Sequence, residues 1–167
     1  MKKTVSTKPT PANITQITAI LADTPVKLDG LSAGLSEEQL RQPLGLGERS
    51  FIEDLAHLLN SEARFPEAIC LALLADEPVF IDLHPERQLG KLLRFDQFSF
   101  VDLLAYFRLR RSFVLHMLAS LSEAQWSRAI REEGKRRKES VYWRARSLAL
   151  HELEHLLDLE HKLSQAS

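Results

Sequence analysis

Near its end the chain reads "SLALHELEHLLDLEH", and four residues there can do chemistry: His151, Glu152, His155 and His161. Histidines four apart stand one turn above another on a helix face, so His151 and His155 can aim ring nitrogens at one ion. The H-E-x-x-H spacing is also that of a metalloprotease zinc helix, with Glu152 as the general base. Glu152-x-x-His155, taken with Asp54-x-x-His57 earlier in the chain, matches the half-sites of a di-iron bundle. Both readings lack partners. The longer zinc motif would recruit His161, and its spacing fits, but Asp158 stands where that motif breaks the helix with glycine. An unbroken helix turns His161 roughly 120° away from His155 at 3.6 residues per turn. A di-iron site needs carboxylates from two more helices, which offer only Asp23 and Asp102 near their ends. The plain alternative is the wet face of an amphipathic helix.

The elements that must position these residues are helical. Thr10 caps a first helix in "TPANITQITAILADTP", with Pro11 suited to its first turn and Pro25 following its end. A glycine-rich connection holds one short helix at "SEEQL". Ser50 and Glu53 form a capping box for a second long helix through "FIEDLAHLLNSEARF", which Pro66 kinks or restarts. Asp76 to Leu93 reads as a loop. Ser99 opens a third long helix, on which Phe100, Leu103, Leu104, Phe107, Arg111, Val114 and Leu118 recur at helical spacing. "SEAQWSRAI" is a short helix boxed by Ser122 and Gln125, "EEGKRRKES" a charged loop, and a last helix runs from Ser140 to about Leu163. No stretch alternates apolar and polar residues as a strand does. The chain is therefore all-α, with residues 1–10 a flexible tail and 11–167 a single helical domain.

Periodicity alone puts the histidines on polar faces. His151 and His155 fall with Arg144 and Asp158, away from Tyr142, Ala149, Leu153 and Leu156. His57 falls with Glu53, Asn60 and Arg64, away from Phe51, Leu55 and Leu59. They face solvent unless the two polar stripes meet across an open groove.

The chain of 167 residues, 44% hydrophobic, can bury a proper core. A formal net charge of -1 gives no wholesale attraction to nucleic acid or to anionic membranes. The lone Cys70 sits in the apolar run "AICLALLA", as a buried structural thiol does, and a single cysteine suits a reducing cytoplasm. "MKK" is followed by polar residues rather than a signal sequence's apolar run, and no segment reaches membrane-spanning length. A cytoplasmic protein without nucleic-acid or membrane partners is expected.

Taken in order, "LSEEQLRQPLGLGERS", "FIEDLAHLLNSEARF", "FSFVDLLAYFRLRRSFVLHMLASLSEAQW" and "EEGKRRKESVYWRARSLALHELEH" resemble the DinB/YfiT-like family from about Thr24 to Leu159. The resemblance implies an up-down-down-up four-helix bundle with short extra helices in its connections. It carries the family's three metal-binding histidines onto His57, His151 and His155. Where the family often has tryptophan before the helix-opening serine, this chain has Arg49. Three neutral imidazoles leave open positions on a divalent ion, with zinc or nickel expected.

A metal-dependent enzyme of the hydrolase or thiol S-transferase type is expected, with a low-molecular-weight thiol as a candidate cofactor. Glu152 is the candidate base. Arg144 or the basic loop Lys135 to Lys138 is the candidate anchor for an anionic substrate. The alternative is a non-catalytic metal- or ligand-binding scaffold. A homodimer is expected, because the third long helix carries a second apolar stripe, Tyr106, Leu109, Phe113 and Met117, where a surface helix needs one.

Overall fold

A computed structural model describes residues 5–81 and 92–166. Four long helices form the frame: α1 (Pro11–Ser32), α3 (Phe51–Leu74), α4 (Phe100–Ala119) and α6 (Val141–Ala166). Short helices α2 (Glu37–Arg41) and α5 (Glu123–Ser127) lie in the connections. The expected caps are present. Thr10, Ser36, Ser50, Ser99 and Ser122 each accept a hydrogen bond from the backbone N–H three residues on, and Gln39, Glu53 and Gln125 complete capping boxes.

α1 packs against α4 and α6, and α3 packs against the same two helices. The two hydrophobic cores fix the directions. One gathers Ile17 and Leu21 of α1, Ala68, Ile69 and Ala72 of α3, Val114 and Leu118 of α4, and the start of α6 from Val141 to Ala149. The other gathers Leu28, then Phe51 to Leu59, Phe100 to Phe107, and Leu156 with Leu159. Early α1 and early α6 thus meet late α3 and late α4 at one end, and the reverse holds at the other. The bundle is up-down-down-up.

A dry polar layer separates the two cores. Arg111, only 1% exposed, donates from Nε to Glu62 Oε1 at 3.0 Å. It also grips Glu152 with both terminal nitrogens, at 2.8 and 2.5 Å. Thr24 Oγ1 donates to the same Glu152 carboxylate at 2.9 Å. One guanidinium therefore ties all four long helices together. It also explains why α1 does not stop at Pro25 but continues to Ser32. A proline inside a helix leaves the carbonyl four residues earlier without its N–H partner. Here that carbonyl is Leu21's, and Arg111 Nη1 donates to it at 2.6 Å.

Three further expectations need correction. The segment before α1 is docked from Val5 onward rather than loose. Val5 is buried in the first core, Tyr142 donates to Ser6 O, and Arg146 donates to Val5 O. The charged loop before α6 is partly a hairpin, β2 (Ala129–Glu132) antiparallel to β3 (Lys138–Ser140), with Gly134 at φ +76° in its turn. The segment read as a loop from Asp76 contributes β1 (Val79–Phe80), parallel to β2; its residues 82–91 lie outside the described part. The buried faces of Phe80 and Ile130, which join the first core, make these short strands pair. Too few residues alternate for a sequence pattern to reveal them.

Candidate metal centre

α3 and α6 run antiparallel, so their polar stripes meet at the waist of the bundle. His57 projects from α3, and His151 and His155 from successive turns of α6. All three are half-buried, and one ring nitrogen from each lies within 4.8 Å of the others. His57 Nε2 and His151 Nε2 are 3.0 Å apart. Ring centroids are separated by 5.0 Å (His57 to His151), 4.5 Å (His57 to His155) and 4.6 Å (His151 to His155). Nitrogens bound at 2.0–2.1 Å to one ion at tetrahedral or octahedral angles sit about 2.8–3.4 Å apart. The closest pair is already at that spacing, and the donor set suits zinc, nickel or a similar ion.

The electrostatics suit a cation's ligands too. Burial, then Arg49 and the two neighbouring histidines, push His57 down to about 3. Burial and His155 push His151 down to about 4. Both rings are neutral at neutral pH, with lone pairs ready for an ion. Asp54, one turn before His57 on α3, lies almost fully buried beside them. Its Oδ1 is 3.7 Å from His155 Nδ1 and 3.5 Å from Arg49 Nη1. Burial acts to raise its pKa, but His155, Arg49 and Lys162 outweigh burial and leave it lowered.

His161 turns away from the cluster, as an unbroken helix requires, and meets Gln165 at 2.9 Å. Glu152 is not at the site. It is the residue after His151, but about 100° of helical rotation aims it into the core, where Arg111 and Thr24 engage both carboxylate oxygens. Neither a general base nor a solvated carboxylate describes it. Arg144 also departs from expectation. It is 2% exposed and paired with Glu139 at 2.8 Å and Glu132 at 3.4 Å. Glu132 meanwhile bridges to Arg64, on α3 two turns beyond His57, at 3.3 Å. These pairs close one end of the groove as a neutralised wall, which leaves Arg144 no open face for an anion. Within the basic loop, Lys135 pairs with Glu132, Lys138 with Glu77, and Arg137 stacks on Trp143.

Residues 20–159 match the family model of the DinB superfamily. The chain belongs to the DinB superfamily. No curated protein matches this DinB chain. Among solved structures it is similar to YfiT from Bacillus subtilis, described as a probable metal-dependent hydrolase with an unusual four-helix bundle topology. The TM-score is 0.84 over 96% of this chain and 91% of that one, at 16% sequence identity. The likeness is one of fold. Among the described residues of this DinB protein, no helix is long and apolar enough to cross a membrane.

The sequence pattern missed two members of the site's surroundings. Asp54 was visible only as part of a di-iron pattern, and Arg49 only as a replaced tryptophan. What marks Asp54 is its place on the face of α3 shared with Phe51, Leu55 and Leu58, an acid at an apolar position.

Proposed function

We propose that His57, His151 and His155 together hold one divalent metal ion, zinc or nickel, and that the protein is a metal-dependent enzyme of the hydrolase or thiol S-transferase type. The observation that carries this reading is the convergence of three imidazole nitrogens from two helices within 4.8 Å. A divalent ion with open positions supplies Lewis acidity and acidifies a bound water or thiol. The chain's own part is to hold three ring nitrogens in place, keep the His57 and His151 rings neutral, and wall one end of the groove with Arg64, Glu132 and Arg144. The description of YfiT as a probable hydrolase supports the hydrolytic branch. The test is metal analysis of purified protein, then a metal-dependent screen of esters, amides and thiol conjugation. One ion per chain is expected. Alanine at His57, His151 or His155 should each weaken binding by more than the roughly 10–100-fold typical of a residue that only orients a ligand. His116→Ala and His161→Ala should bind as wild type. Fully loaded protein inert across the screen would instead support a metal-binding scaffold.

The protein is further proposed to pair with itself through α4. Tyr106, Leu109 and Phe113 are 42%, 56% and 68% exposed. Met117 turns inward, with its Sδ 3.7 Å from Cys70 Sγ. A symmetric pair would lay the same patch on itself. Light scattering should give a dimer for the wild type and a folded monomer for Phe113→Glu. A wild-type monomer at micromolar concentration would rule the pairing out.

A further inference from the structure

We infer that Asp54 is a positioning residue for the histidine cluster: its carboxylate is placed to accept a hydrogen bond from the Nδ1–H of His155 and so fixes that ring with Nε2 as the free lone pair. The inference rests on the metal reading above for its purpose, and on the position of Asp54 for its substance.

The first ground is placement. Asp54 Oδ1 faces His155 Nδ1 at 3.7 Å across the α3–α6 groove, within ion-pair range. A shift of roughly 0.8 Å brings the two to hydrogen-bond distance. A neutral imidazole carries one proton, and the partner of one nitrogen decides which nitrogen keeps the lone pair. A carboxylate on Nδ1 leaves Nε2 deprotonated. His57 and His151 already aim Nε2 at each other, so the same choice at His155 gives three like donors. Carboxylates behind ligating histidines commonly orient the ring and raise its basicity.

The second ground is that the fold makes poor use of this acid. Asp54 is buried, yet its Oδ2 has no hydrogen-bond partner. Among the described residues, its only cationic contact in ion-pair range, apart from His155, is the half-exposed Arg49, at 3.5 Å. Glu152, by contrast, has both oxygens engaged. What offsets the burial of Asp54 is His155, Arg49 and Lys162 rather than the core packed around it. Its neighbours Phe51, Leu55 and Leu58 would accept an apolar side chain in its place.

The experiment follows His155 itself by ¹⁵N-correlated NMR of the imidazoles in chelator-treated protein, alongside zinc affinity by competition. In the wild type His155 should carry its proton on Nδ1, the form a free imidazole disfavours. Asp54→Leu should shift it to Nε2 in a protein that still unfolds cooperatively, and weaken zinc binding by roughly 10–100-fold. Asp54→Asn, which keeps an acceptor without the charge, should fall between. A wild-type His155 protonated on Nε2, or zinc affinity unchanged in Asp54→Leu, would overturn the inference. Wild-type protein that binds no zinc would sink the metal reading alone, because the proton's position is read without metal.

Discussion

His151 and Glu152 are consecutive residues at the waist of the bundle, and they belong to two different worlds. His151 opens into the groove between α3 and α6, among groups left incompletely paired: its own Nδ1 and Asp54 Oδ2 have no hydrogen-bond partner. Glu152 enters the dry layer between the two cores, where Arg111, Thr24 and the Leu21 carbonyl knit the four helices together. The contrast separates two uses of polar residues inside a fold. In the layer, one guanidinium meets two acids, and its product is the mutual register of the helices. In the groove, two ring nitrogens stand 3.0 Å apart with no cation of the chain between them, as the metal reading proposed above requires. The two are coupled by geometry, since the layer fixes α3 against α6 and those helices carry the histidines.

Breaking the layer should have the largest effect. Arg111→Ala would leave Glu152 buried without its cation and Glu62 with Arg110 alone, 3.7 Å away, and removing one partner of a buried pair costs about 3–5 kcal/mol. Urea unfolding should record a loss of that size. Replacing Arg111, Glu62 and Glu152 together by Met, Leu and Leu should recover most of it, because apolar groups of similar size often match a buried ion network. A single Arg111→Ala variant within about 0.5 kcal/mol of wild type would show that the layer contributes register without stability.

The groove should respond oppositely. In chelator, alanine at His57 should change stability little, because nothing in the core depends on that ring. With metal present at 100 times its dissociation constant, the wild type should gain about 2.7 kcal/mol, and His57→Ala should gain none. Arg111→Ala, if still folded, should keep a metal-dependent gain. A His57→Ala variant as damaged in chelator as Arg111→Ala would merge the two regions into one structural core.

The sequence made these regions legible to different degrees. The caps, the four long helices and the spacing of His151 and His155 follow from local chemistry, which needs no partner to be read. Glu152 was misplaced because an acid counts as polar on a helical wheel, and only a distant cation makes it a core residue. The signal lay elsewhere: Arg111 falls in the apolar stripe of α4, an arginine at a core position that calls for buried acids. Pro25 carries a related signal. It lies inside α1 because a side chain 86 residues away serves the carbonyl it frees, and no window along the chain contains both. Arg144 looks available in the sequence because its partners, Glu132 and Glu139, lie on a hairpin too short to show a strand pattern.

The pH dependence of the metal-free protein sets the two regions against each other in the same window, with an effect smaller than either loss above because solvent screens the half-exposed rings. His57 and His151 have folded pKa values of about 3 and about 4, below the ordinary 6.5. Between these values the unfolded chain binds more protons than the folded one, so stability rises with pH and is lost as pH falls below 6.5. Glu62 acts the other way. Burial raises its carboxyl to about 7, with Glu152 adding to the effect while Arg111 and Arg110 oppose it. Between its ordinary 4.5 and 7 the folded state holds the extra proton, so stability falls as pH rises. From pH 4.5 to 6.5 the two slopes partly cancel in the wild type. Urea unfolding across that window should show His57→Ala more stable relative to wild type at the acid end. Glu62→Gln, which keeps the shape and removes the titration, should gain on wild type toward neutrality. If both variants follow the wild-type curve, neither region is held in the protonation state assigned to it: the groove would then lack its neutral imidazoles, and the layer would carry two full carboxylates on one guanidinium.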